Sequence, residues 1–171
     1  MTRYADGPTT EAFAVVHAPV DVVWALMTDI GLPARFSSEF AGADWIDAGP
    51  AVGARFTGRN QHAAVGGWET TCTVTRCTYG DTFEWAVGDP EHPAARWRLS
   101  LEPGVDGLVL RQWMQIGPAP SGLSPAIDAM PDKEERIIAR RLSEHRTNMQ
   151  ATVDGIKQLA ENASTTPHDV H

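Results

Sequence analysis

The C-terminal fifth of the chain most constrains what it can fold into. From Asp132 to about Asn162 good helix formers run without a proline. Asp132 can act as N-cap, with Glu135 at the third position, the carboxylate variant of a capping box. The spacing predicts one helix of about 30 residues, roughly 45 Å long. Ile138, Leu142, His145, Met149, Thr152, Ile156 and Leu159 share one face of it. A stripe that long must lie across an extended apolar surface, and the rest of the chain has to supply it.

The preceding residues read mostly as strands. Glu11 to His17 is extended, and a first helix is expected over about Pro19 to Thr28, with Val20, Val23, Trp24 and Met27 on its apolar face. A second short helix or turn after Gly31-Leu32-Pro33 should end near Glu39. Strand-like runs then alternate with turn signals at Gly49-Pro50, Gly66-Gly67, Gly80-Asp81, Asp89-Pro90 and Pro103-Gly104. Period-2 alternation assigns their faces. Phe56, Gly58, Asn60 and His62 should point inward against Arg55, Thr57, Arg59 and Gln61. Trp68, Thr70, Cys72 and Val74 oppose Glu69, Thr71, Thr73 and Thr75. Phe83, Trp85 and Val87 oppose Glu84, and Trp97, Leu99 and Leu101 oppose Arg96, Arg98 and Ser100. In the last run Leu108, Leu110, Gln112, Met114 and Ile116 form the more apolar face. Gly117 to Pro131, rich in proline, reads as a long packed loop without a regular element over most of its length. Its apolar Leu123, Ile127 and Met130 are placed to face an entrance between sheet and helix.

The expected fold is therefore α+β: a curved antiparallel sheet of about seven strands wrapped around the long helix, with two short helices after the first strand. The chain of 171 residues, 42% hydrophobic, suits a single domain over residues 10–161, with polar tails at 1–9 and 162–171 expected to be flexible. A net charge of -8 repels phosphate backbones and argues against nucleic acid. No apolar run is long enough for a membrane span, and Met1 to Pro8 has no signal-peptide character, so a cytoplasmic protein is expected. Cys72 and Cys77 lie five residues apart, which alternation places on opposite faces, out of reach for a disulfide.

These features resemble the START-like superfamily, the helix-grip fold of the pollen allergen Bet v 1 and of polyketide cyclase/dehydrase-like proteins. The resemblance covers about residues 10–161. It rests on Ala18-Pro19 with Val23-Trp24-Ala25-Leu26 and Asp29, and on Trp45 followed by Val52-Gly53-Ala54-Arg55-Phe56 and Gly58-Arg59-Asn60. Trp68 with the strand to Val74, Gly117-Pro118-Ala119-Pro120-Ser121-Gly122-Leu123, Arg141-Leu142, Asn148-Met149 and Gly155-Ile156-Lys157 continue it. The resemblance implies a cavity between sheet and helix holding a small, largely apolar ligand.

No nucleophile elbow or phosphate-binding glycine loop is present. The six histidines form no ligand-spaced cluster apart from His168 and His171 near the end, so neither metal nor cofactor is expected. The informative set is polar: Asn60, His62, Thr70, Cys72, Gln112 and His145 all fall on inward faces, where an unpaired polar group is costly. Asn60 and Gln112 can each donate to and accept from a ligand, while His62 and His145 are the candidates for moving a proton. Trp68, Trp85 and Trp97 can wall a pocket for flat rings, and Leu123, Leu142 and Met149 complete the apolar lining. Arg140 and Arg141 near Glu144 read as the helix's solvated side. Arg59 and Arg111 would meet an anionic ligand only if a strand were shifted by one residue. Binding of a small hydrophobic or aromatic molecule is the leading function. The alternatives are a cyclase/aromatase or dehydratase using the same cavity and a chaperone-like peptide binder.

Overall fold

The computed structural model describes residues 1–165. Seven strands form one antiparallel sheet in the order β1-β7-β6-β5-β4-β3-β2. They are β1 (Thr9–Val16), β2 (Phe40–Trp45), β3 (Arg55–His62), β4 (Gly66–Thr78), β5 (Thr82–Val87), β6 (Ala95–Pro103) and β7 (Leu108–Ile116). Three α-helices accompany them: α1 (Val20–Met27), α2 (Ser124–Ala129) and α3 (Glu134–Thr165). This is the expected α+β helix-grip architecture, with the sheet curled about the long helix. Among the described residues no helix is long and apolar enough to cross a membrane.

Several boundaries differ from the sequence reading. The second short helix is a 3-10 turn, Leu32–Arg35. β2 follows it in a stretch, Ala41-Gly42-Ala43, whose small residues carry little strand signal. Within the presumed irregular loop, α2 forms because Pro125 sits in its first turn, where a missing N–H costs nothing. Asp132 is not an N-cap: it lies inside a 3-10 turn, Pro131–Lys133, and α3 starts two residues later. The freed acids tie down the start of the chain instead, Glu134 accepting from the Tyr4 N–H at 2.8 Å and Glu135 from the Thr2 N–H at 3.3 Å. Tyr4–Asp6, assigned to a tail, makes a 3-10 turn whose tyrosine hydroxyl donates to the Ala119 carbonyl. At the other end residues 162–165 continue α3, and His168 and His171 lie outside the described residues.

The inward faces follow the alternation until β4. There the pairing with β5 jumps from Val74↔Trp85 to Arg76↔Glu84, so Thr75 is an extra residue, a bulge that resets the parity of the strand. Cys72, Val74 and Cys77 consequently oppose Val87, Trp85 and Phe83, which all share one face. The two cysteines therefore lie on the same side of the sheet, not on opposite sides, and both are free thiols packed into or against the core. Glu84 does point to the outer face, but it is not in water. It is 6% exposed, receives the Thr75 hydroxyl at 2.9 Å and pairs with Arg98 at 2.8 Å. Arg98 in turn lies over the Trp113 ring at 4.4 Å, so charge and aromatic surface cover each other.

The helix α3 closes the gap between the two ends of the curled sheet. On one side Gln150 and Lys157 donate to the Phe13 and Val15 carbonyls of edge strand β1, satisfying acceptors that an edge leaves open. On the other, Arg141 reaches Glu39, Asn148 accepts from the Ser38 N–H and Glu144 meets His62. Ile138 is buried near its start, and in its C-terminal half burial is continuous: Met149, Val153, Ile156 and Ala160 all lie in the core with Val23, Met27 and Leu110. Gly155 is required there, because a Cβ would lie 2.5 Å from the Phe36 ring. Further toward its N-terminus, Leu142 and His145 are only part-buried although they share the same stripe.

Candidate functional site

The concave side between β5, β6 and this looser stretch of α3 is lined by rings. Because Trp85 and Trp97 oppose each other on neighbouring strands, their indoles stack, 6.4 Å apart with planes 9° from parallel. Phe56 meets Trp85 edge-on at 6.1 Å, Trp45 meets Phe56 at 5.4 Å, and the far end of the row, Trp97, meets the His145 imidazole at 5.2 Å. Offset and edge-to-face contacts of this kind are the favourable aromatic geometries. Trp85, Trp97, Leu142 and His145 all point between sheet and helix, yet none is fully closed over.

His145 has the electrostatics of an enclosed base. Burial and the nearby Arg141 charge pull its pKa down to about 4, so the ring is neutral at physiological pH. Neither of its nitrogens has a hydrogen-bond partner among the described residues. Cys72 is a poor nucleophile: burial raises its thiol to about 11 despite a 3.7 Å contact with the Thr70 hydroxyl. Gln112 sits on β7 at 6% exposure, with Oε1 buried and unpartnered among the described residues.

His62 has a different place. Its Nδ1 accepts from the Ala64 N–H at 3.1 Å, which leaves the proton of the neutral ring on Nε2, facing Glu144 Oε2 at 3.1 Å. With both nitrogens engaged, the ring fastens the end of β3 to α3 and has none left for a ligand's proton. Glu144 belongs to a wider network, in which Arg141 contacts it at 3.0 Å and holds both oxygens of Glu39, at 2.5 and 2.7 Å. Arg141 is thus not on a solvated helix face; its side chain is 17% exposed. Burial pushes the Glu144 carboxyl up, but hydrogen bonds from Arg141 and His62 outweigh this and hold it below the usual carboxylate range. Donor atoms of Glu39, His62 and Glu144 lie within 4.8 Å of one another, a spacing a cation could use. The guanidinium already supplies positive charge between the two carboxylates.

Of the residues singled out in the sequence, Trp85, Trp97 and His145 come together in the row, with Leu142 and Leu123 part-buried against the core and Met149 inside it. Trp68 pairs with Asn60 toward the β3–β4 turn and makes no ring contact among the described residues. Arg59 and Arg111 are on the outer face, paired with Asp44 and with Glu11. Met130 is exposed. The residues missed are Trp45, Glu39 and Arg141. The i, i+3 spacing of Arg141 and Glu144 beside His145 was a visible hint, whereas Glu39, 102 positions away, left none.

Comparison with known proteins agrees with the fold. Residues 8–161 match the family described as polyketide cyclase/dehydrase and lipid transport. The solution structure of a polyketide-cyclase-like protein from Corynebacterium glutamicum is 30% identical, with a TM-score of 0.64 over 95% of this chain and 97% of that one. The di-domain ARO/CYC StfQ of the steffimycin biosynthetic pathway shares the fold at 16% identity and TM-score 0.70, over 92% of this chain and 52% of its own. The crystal structure of Ara h 8.0201 shares it at 8% identity and TM-score 0.56, over 87% of this chain and 97% of its own. Among curated proteins, none matches.

Proposed function

The chain belongs to the polyketide cyclase/dehydrase and lipid transport family, and we propose that it binds a small hydrophobic or aromatic molecule between the sheet and α3. One observation carries this reading. Trp85, Trp97, Leu142 and His145 face inward and remain part-buried, so the face between sheet and helix is apolar but not closed by the protein's own side chains. A flat molecule laid against the stacked indoles would bury that surface at about 25 cal/mol per Å². The two free thiols and acidic surface suit a cytoplasmic setting, with no role for nucleic acid. Titration of a panel of fused-ring aromatics against intrinsic tryptophan emission tests the reading. A saturable change that weakens in Trp97→Leu is expected. Absence of saturation across the panel overturns it.

A second reading, chemistry of the cyclase/aromatase or dehydratase kind, is favoured by His145, a neutral imidazole with no hydrogen-bond partner among the described residues. Such an imidazole can take a proton from a carbon beside a carbonyl. The measurement is deuterium exchange into 1-tetralone, which carries enolisable protons on a flat frame. Exchange accelerated by the protein and lost in His145→Gln supports catalysis; a rate equal to that of buffer leaves binding alone.

A further inference from the structure

Gln112 occupies a costly position. It lies mid-strand on β7 between Ala12 of β1 and Leu99 of β6, and shares its face with Leu110 and Met114. Trp97 opposes Met114, so Gln112 is the diagonal neighbour of the indole that ends the aromatic row. Every residue just named is apolar, and none can donate a side-chain hydrogen bond to Oε1 apart from an indole N–H that does not reach it. A shielded acceptor left unpaired weakens a fold, and an apolar residue of the same shape would not. A hydrogen-bond donor from outside the chain would remove that cost.

We propose that Gln112 selects the occupant of this face: a flat aromatic molecule that carries a hydroxyl or N–H and donates it to Gln112 Oε1 beside the Trp97 ring. The inference rests on the binding role proposed above and adds the polarity of the ligand to it. An ether or a ketone oxygen could be met only by the amide Nε2, which leaves Oε1 still unpaired, and a bare hydrocarbon would leave the acceptor unmet as well.

The test uses the intact protein, calorimetry, and two probes of nearly equal shape, 2-naphthol and 2-methoxynaphthalene. Wild type should bind 2-naphthol about tenfold or more tighter than the ether, the discrimination one buried hydrogen bond supplies. In Gln112→Leu, and in Gln112→Met as a second isostere, affinity for 2-naphthol should drop to that for the ether, while the ligand-free protein melts at the same temperature or higher. That pairing of lost selectivity with retained or gained stability is not produced by a merely structural glutamine. Equal affinities in wild type, or a preference that survives both substitutions, overturn the role of Gln112 and leave the binding role standing. If neither probe gives saturable heat while wild type is folded, the binding role falls as well.

Discussion

The imidazole of His145 stands edge-on to the indole of Trp97, with ring planes at 85° and centroids 5.2 Å apart, and so joins α3 directly to β6. The contact places a titratable ring against an apolar wall. Burial, with the Arg141 charge adding to it, lowers its pKa from the ordinary 6.5 to about 4.

Acidification should therefore weaken the fold through this residue. Between pH 6.5 and about 4 the unfolded chain takes up a proton that the folded protein does not, so stability falls as pH falls and the loss levels off below 4. The contribution is on the order of 3 kcal/mol. Urea melts across this range for wild type and His145→Gln should differ in slope. Parallel profiles would show that the ring titrates normally. Glu144, held low by its partners, acts in the same direction, because its stabilisation is lost as pH drops through its folded value.

Arg141→Met should cost about 2–4 kcal/mol, since it leaves Glu39, 12% exposed at the side chain, and Glu144 without their shared cation. Arg141→Lys should recover only part of this, because an ammonium cannot engage both Glu39 oxygens as the planar fork does. Chemical denaturation of the two variants gives the comparison; equal stability of Lys and Arg would show that the bidentate geometry contributes nothing.

Gly155→Ala sets two effects against each other. Helix propensity favours alanine by about 1 kcal/mol. The new methyl, however, would meet three carbons of the Phe36 ring at 2.5 to 2.6 Å. Overpacking of that kind typically costs about 1–3 kcal/mol, so net destabilisation is expected. The same substitution made in a Phe36→Ala background should be stabilising instead, and the change of sign in that double-mutant cycle is the measurement.

On the outer face, Glu84→Ala should lower stability by about 1.5–3 kcal/mol, as it strips the Thr75 hydroxyl and the Arg98 guanidinium of one acceptor. Arg98 also loses the partner that holds it over Trp113, so the emission of that indole should shift to the red in the variant. An unchanged spectrum would show that the stacking stands on its own.

Most of the architecture was legible because its signals are local. The α3 stripe and the alternation of β3, β6 and β7 each lie within one element, and they locate the concave face and its tryptophans. What escaped depends on partners remote in sequence. The bulge at Thr75 falls in Thr71-Cys72-Thr73-Val74-Thr75, where nothing marks the residue that drops out of register, and it inverted the relation of Cys72 to Cys77. Alternation gives Glu84 its correct face but not its cover, because Arg98 reaches it across a strand pairing. The Glu39–Arg141 pair joins a loop to a helix, and their charges looked like any solvated ones until the curl of the sheet brought them together.

The long helix is held by two unlike kinds of attachment, and this gives the domain a weak end and a strong end. From Met149 onward continuous apolar burial, which survives salt and fades on cooling, adds to the Gln150 and Lys157 bonds to β1. Before that point the buried Ile138 side chain is joined by charged and polar tethers, Glu134 to Tyr4, Arg141 to Glu39 and Asn148 to Ser38. An opening that lifts the first helical turns while the rest stays seated has to expose Ile138 and part Arg141 from Glu39. Such an opening would uncover the Trp97 face without unfolding the sheet.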